Sequence, residues 1–256
     1  MDKEKIKKVY NAFAASGKFV SAQLLDSGLV SDSYHIIADE EAEYILQCMY
    51  PGIFPNIPGI IRNKELVSGH IRNKLIKQKI HDITRKYITW FHTYRQKPYY
   101  KDHEDNYWTL SLYIKGARSY DKVTSPHIAF EIGNGLGEFV NRVSDFDPGL
   151  LSVTLPFFQN IYKWQNHLTA AFLQADADKK NKSEELVTYL RSLDEEIAEL
   201  QQLQDEELLP VRVTHNSSIA NDLLLDWNDR PLCVMNLDLV MPGMLHYDFG
   251  TAVRSI

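Results

Sequence analysis

The chain has 256 residues, 44% hydrophobic and 24% charged, with a formal net charge of −6; that is enough material for one large domain or two small lobes with a full core. Its two cysteines, Cys48 and Cys233, exclude a disulfide framework and a zinc spacing, and no apolar run approaches the roughly 20 residues that a membrane span needs. The start, MDKEKIKKVY, carries charge but no apolar signal-peptide core, so a soluble, cytoplasmic protein without a membrane partner is expected.

In chain order, a short helix is predicted over 3–13, then strands at 19–24, 33–37 and 44–49. Turn chemistry separates the strands at Asp26-Ser27-Gly28 and Ala38-Asp39-Glu40. A helix over 60–79 and strands near 87–94 and 107–114 complete the first half, a sheet of five mostly antiparallel strands. Ser125-Pro126 is a helix start, with Ile128, Ile132, Leu136, Phe139, Val140 and Val143 on one face. Phe158, Ile161, Trp164, Leu168 and Phe172 mark the next helix. Leu186, Leu190, Leu193, Ile197 and Leu200 mark an acidic amphipathic one. The boundary between a β-rich half (1–115) and a helical half (116–256) is expected at Lys115-Gly116.

Charge is unevenly spread. From Pro58 to Lys101 there are 11 Lys and Arg against 2 Asp and Glu, interleaved with Tyr87, Trp90, Phe91 and Tyr94. The pattern superficially suits nucleic acid. An amphipathic helix whose lysines and arginines face water accounts for it better in an acidic chain, so no nucleic-acid partner is expected. Gly133-Asn134-Gly135-Leu136-Gly137 follows no strand and lies inside an apolar-periodic segment, which favours close helix packing over a phosphate cradle.

Residues 211–254 carry the most information. A strand enters the polar loop His215-Asn216-Ser217-Ser218, and a tight hairpin (Leu223-Leu224-Leu225, Asp226-Trp227-Asn228-Asp229, Leu232-Cys233-Val234-Met235) ends in a second polar loop, Asn236-Leu237-Asp238. Two polar loops at one end of a hairpin are how kinase-like phosphotransferases set a base and two metal ligands around a phosphoryl group.

The chain resembles the N-acetylhexosamine kinases of the aminoglycoside-phosphotransferase-like superfamily. The resemblance lies in GKFVSAQLLDSGLVSDSY (17–34), EYILQCMYPGIF (43–54), HIRNKL (70–75), DNYWTLSLYIKGARSYD (105–121), TLPFF (154–158) and the block through YDFGTAVR (247–254). It implies an α+β, bilobal, protein-kinase-like fold, with an antiparallel β-sheet N-lobe that binds nucleotide and a mainly helical C-lobe. It implies ATP and Mg2+ as cofactors and N-acetylglucosamine or N-acetylgalactosamine as substrate. Nucleotide contacts fall on Ser27, Gly28, Gln47 and Tyr113. His215, Asn216 and Ser217 fall on the catalytic loop, and Asp222, Asn236 and Asp238 on the metal ligands.

Departures from the family pattern gather in those loops. Ser217 stands at the position of the aspartate that accepts the substrate proton, Asp222 at that of a metal-binding asparagine, and Asn236 at that of the main metal-binding aspartate. Thr251 replaces a further carboxylate, and Arg62 falls on an acidic position of the N-lobe helix. Asp222 and Asn236 read as an exchanged pair, with Asp238 as a reserve ligand. The expectation is an impaired ATP-dependent sugar kinase, the alternative an inactive kinase-like domain that binds nucleotide, sugar or a protein. The resemblance also implies a helical section after Ile256, without which Met241, Met244 and Leu245 should be exposed.

Overall fold

A computed structural model describes residues 3–27 and 31–256, with the side chain of Ser27 also outside the described set. Gly28 and the Ser27 side chain, both assigned to nucleotide above, therefore lie outside the described residues.

After helix α1 (Lys3–Tyr10) the chain lays down β1 (Phe19–Ser27), β2 (Ser31–Ala38) and β3 (Glu43–Met49), then crosses helix α2 (Ile57–Lys77). It returns through β4 (Trp90–Phe91), β5 (Tyr100–Lys101) and β6 (Tyr107–Leu112). The sheet is six-stranded, not five-stranded as expected, in the order β1-β2-β3-β6-β4 with β5 also paired to β6, and all these pairings are antiparallel. The strand expected over 87–94 shrinks to two residues. The two-residue β5, hidden in a polar hairpin, was too short to show an alternation.

Period-2 alternation sets the two faces of the sheet. Tyr34 and Ile36 of β2, Tyr44, Leu46 and Cys48 of β3, and Trp108 and Leu110 of β6 are buried with Ile6, Val9 and Tyr10 of α1. Gln47 falls on the opposite face from Leu46 and Cys48. Met49, on that same opposite face, packs on Ile57, Ile60 and Ile61 of α2. Asn56 caps α2 by accepting the Gly59 N–H at 2.9 Å, and Pro58 suits its first turn. The buried stripe of α2 runs Ile57, Ile60, Ile61, Lys64, Val67, Ser68, Ile71, Leu75. Lys64 thus faces inward, which corrects the expectation that the basic residues of this helix face water. Trp90, part of the aromatic interleaving, donates its indole N–H to Ser68 Oγ at 3.0 Å, and Tyr87 is buried.

One partly buried ion pair ties α1 to the turn between β5 and β6. Asp102 is bridged by Lys5 at 3.0 Å and accepts Trp108 Nε1–H at 2.9 Å and the Asn106 amide at 3.1 Å. Burial alone would raise this carboxyl, but the bonds from Trp108, Lys5 and Asn106 outweigh it and hold it well below the ordinary range. A depressed carboxylate contributes stability that is present above its unfolded value, about 3.9, and lost as pH falls below it. Asp102→Asn should cost about 1.5–3 kcal/mol at neutral pH, and urea titrations should show the difference shrinking as pH drops below about 4.

Beyond β6, Gly116 takes φ +64°, where an added Cβ would meet the Trp227 indole at 3.2 Å. The chain then bridges Arg118 to Leu225. Helix α3 (Pro126–Val143) follows, capped by Ser125, which accepts the Ile128 N–H at 3.2 Å. A Cβ on Gly135 would lie 2.5 Å from Leu223 Cδ2 and 3.0 Å from Pro231 Cβ. Gly135 is therefore a packing contact against the hairpin at 223–234, whereas a Cβ on Gly133 or Gly137 would meet nothing within 4 Å.

The described chain forms two compact units, Met1–Thr154 with Arg212–Ile256, and Leu155–Val211. The second holds α4 (Ile161–Gln174), α5 (Ala177–Arg191) and α6 (Asp194–Asp205). The single acidic helix read from the leucine spacing is broken in two, because the Ser192 N–H turns back to the carbonyls of Thr188, Tyr189 and Leu190. Among the described residues no helix is long and apolar enough to cross a membrane. Both cysteines are free and buried, and burial pushes each thiol up to about 12.

Candidate phosphoryl-transfer site

Strand β7 (Val211–Thr214) delivers the first polar loop. A 3-10 turn, Ala220–Asp222, leads to the hairpin β8 (Leu223–Leu225) and β9 (Pro231–Val234). Leu223 pairs with Val234 and Leu224 with Cys233. Asp226 Oδ1 holds the hairpin turn by accepting the N–H groups of Asn228 and Arg230 at 2.8 and 3.0 Å. The second polar loop follows, with Asn236 at φ +57° and a 3-10 turn over Leu237–Leu239. Strand β10 (Met241–Met244) then pairs with β7 and runs into α7 (Leu245–Ser255). The two strands approach closely: a Cβ on Gly243 would sit 2.5 Å from Thr214 Oγ1. Met241 and Met244 are buried, contrary to the expectation of exposure, because they belong to this strand pair.

The loops are locked to one another by residues that are themselves buried. Asp248, in the first turn of α7, accepts the backbone N–H of His215 and of Asn216, both at 2.7 Å. Asn216 sits at φ +63° and donates to Thr214 Oγ1 and to the Leu239 carbonyl, each at 2.9 Å. His215 Nε2–H donates to the Met235 carbonyl at 2.9 Å, and its ring meets Phe139 edge-on. His215 and Asn216, both assigned to the catalytic loop, thus brace the two loops. The wholly buried His215 offers no exposed nitrogen for proton transfer.

Ser217, Asp222 and Asn236 do come together. Ser217 Oγ–H donates to Asp222 Oδ2 and Asn236 Nδ2 to Asp222 Oδ1, each at 3.0 Å. Both oxygens of the carboxylate are engaged by neutral donors. Asp222 is 5% exposed. Burial pushes its carboxyl up more than His215, Asn236 and Ser217 pull it down. A serine hydroxyl already donating to a carboxylate has no basicity to offer a substrate hydroxyl.

Asp238 lies in a second cluster. Its Oδ1 pairs with Lys64 Nζ at 2.5 Å, and its Oδ2 accepts Gln47 Nε2 at 2.7 Å. Lys64 Nζ also donates to Gln47 Oε1 at 2.8 Å and lies 4.8 Å from the centre of the Trp90 ring. Strand β3, helix α2 and the second polar loop thus meet at one buried ion pair. Tyr113, assigned to nucleotide, stacks on His35 with centroids 4.2 Å apart. Arg62 points away from this cluster, donating to the Leu150 carbonyl at 2.8 Å.

Magnesium needs several oxygen ligands in near-octahedral array, usually one or two of them carboxylates. The donors present do not fit it. Asp222 is spent on Ser217 and Asn236, Asp238 on Lys64 and Gln47, and Asp248 on two backbone amides. Among the described residues no three His, Cys, Asp or Glu side chains gather in a way that could hold a metal ion.

Lys64 and Asp248 were missed in the sequence. A lysine on the apolar stripe of α2, four residues after Ile60 and three before Val67, was a legible signal. Asp248 had no comparable one, since its role depends on where α7 returns to the first loop.

No family model matches the chain. Among solved structures it is similar to the microcompartment-associated aminopropanol kinase, at 16% identity over 98% of this chain and 73% of that one, with a TM-score of 0.63. The aminoglycoside phosphotransferase of Alicyclobacillus acidocaldarius subsp. acidocaldarius matches at 14% identity over 96% and 70%, with a TM-score of 0.59. The amicoumacin kinase hAmiN, solved with AMP-PNP, Ca2+ and Ami, matches at 13% over 100% and 69%, with the same TM-score of 0.59. Identities this low carry the fold alone. The chain shares its α+β fold with these solved kinases and phosphotransferase.

Proposed function

We propose that this protein is a kinase-type nucleotide-binding protein, derived from an ATP-dependent phosphotransferase and impaired in phosphoryl transfer. The observation that carries this reading is the closed trio Ser217–Asp222–Asn236. By the resemblance the trio falls on the positions of the base and metal ligands, and both oxygens of its one carboxylate accept hydrogen bonds from within the trio. Loss of a general base removes about 10²–10⁴-fold in rate, and a site without magnesium loses charge neutralisation as well. Nucleotide binding is supported by the shared fold, since hAmiN was solved with AMP-PNP and the spectinomycin phosphotransferase with ADP and spectinomycin. The sequence stretches quoted above favour an N-acetylhexosamine as the second ligand, and by the same resemblance Ser27, Gly28, Gln47 and Tyr113 are the nucleotide contacts. On this reading the protein works in the cytoplasm, its nucleotide lobe ending at Lys115-Gly116.

Ligand-induced stabilisation tests the binding half of the proposal. ATP at a hundredfold excess over Kd should stabilise the chain by about 2.7 kcal/mol, read as a rise in Tm. An unchanged Tm with ATP and ADP at millimolar concentration would contradict it. The second reading, an inactive domain serving a protein partner, would then be favoured by that same result.

A further inference from the structure

Protein kinases set a lysine on the third strand and pair it with an acidic residue of the neighbouring helix. This chain is arranged differently. The amide of Gln47 is on β3, and the cation, Lys64, comes from α2 and reaches the Asp238 carboxylate of the second polar loop. The placement is well determined by its surroundings. Lys64 is 2% exposed, its ammonium donates to Asp238 and Gln47, and the Trp90 ring beside it is fixed by Ser68.

A divalent ion in an active kinase does two things. It neutralises phosphate oxygens, and it shields them from the acidic residues around them. Here the acidic residues have been withdrawn. Ser217, Asn236 and Thr251 are neutral, Asp222 is buried between two neutral donors, and Asp238 carries its own counter-ion. Little carboxylate charge is left to repel a triphosphate, and an ammonium already stands at Asp238. A magnesium ion there would have to displace the ammonium or sit beside it, like charge against like charge in a buried site.

We propose that Lys64 is a built-in cation that takes the place of the divalent metal at Asp238, so that the protein binds nucleoside triphosphates free of metal. The proposal rests on the nucleotide-binding reading above, and the experiment separates the two. ATP is titrated calorimetrically into the intact chain in EDTA and again in excess magnesium. Separately, Mn2+ alone is titrated and free metal is followed by its paramagnetic signal. The same measurements are made on Lys64→Met, which among the described residues leaves the Asp238 carboxylate with Gln47 as its side-chain partner.

The expected result for the unmodified chain is ATP affinity equal within about twofold with and without magnesium, and no Mn2+ bound at millimolar metal. Lys64→Met should bind Mn2+ and should need magnesium for ATP, with affinity falling about tenfold or more in EDTA. ATP binding by the unmodified chain only with magnesium, or Mn2+ binding by it without nucleotide, would overturn the built-in cation and leave the nucleotide reading intact. Absence of ATP binding in both buffers would overturn both. If Lys64→Met fails to fold, the two buffers and the Mn2+ titration on the unmodified chain still decide the matter.

Discussion

Restoring the three altered positions together, as Ser217→Asp, Asp222→Asn and Asn236→Asp, should raise sugar-dependent ATP consumption by about 10²–10⁴-fold, the worth of a general base. The single change Ser217→Asp should recover far less. Ser217 Oγ lies 3.0 Å from Asp222 Oδ2, so a new carboxylate there would face an existing one. Two carboxylates sharing a site cannot both ionise readily, and one would stay protonated and useless as a base. Asp222→Asn removes that conflict, and Asn236→Asp moves the carboxylate to the second polar loop. Groups that act as a unit are strongly non-additive, so the triple variant should exceed the product of the singles. The assay is labelled phosphate transfer to N-acetylglucosamine and N-acetylgalactosamine. No gain from the triple variant would mean that the substrate pocket, and not the trio, limits the reaction.

The largest stability effect is expected at Asp248. Replacing it with Leu removes the acceptor for two buried N–H groups, those of His215 and Asn216. Each orphaned buried donor costs about 1–3 kcal/mol, so Asp248→Leu should lose about 2–6 kcal/mol in urea or thermal unfolding. The pH dependence has a definite sign. Burial raises the carboxyls of both Asp248 and Asp222 above their ordinary value. A raised carboxyl contributes stability that is complete below its unfolded value, about 3.9, and is lost as pH rises through its folded value. These two groups should therefore oppose Asp102, whose contribution disappears toward acid. In Asp222→Asn the decline on the alkaline side of pH 4 should be shallower than in the unmodified chain. An Asp248→Leu chain as stable as the original would show that the two loops are held together by other means.

Strands β2 and β3 were legible because their residues alternate. Tyr34, Ile36 and Ala38 are buried on β2 while their neighbours face outward, and such a pattern survives in the sequence. Helix α3 was equally legible from Ser125-Pro126 and its apolar spacing. What could not be read were features set by contacts distant in sequence. Ser217, Asp222 and Asn236 were each identified from the two loops. Their closure on one another depends on the 3-10 turn Ala220–Asp222 and on the left-handed backbone of Asn236. The fate of Asp238 depended on Lys64, 174 residues away in sequence. A basic residue in a basic helix reads as solvated unless its position on the apolar stripe is weighed above its charge.

The most direct measurement is a single turnover with the chain in excess over ATP labelled in its γ-phosphate, with N-acetylglucosamine or N-acetylgalactosamine present and with or without magnesium. If the site carboxylates are closed on themselves as Ser217–Asp222–Asn236 and Lys64–Asp238, the label should remain in bound ATP over many minutes under every condition. Rapid and complete passage of the label to either sugar would contradict the account, because it would require a proton acceptor and a charge clamp that these residues, bonded as they are, do not supply.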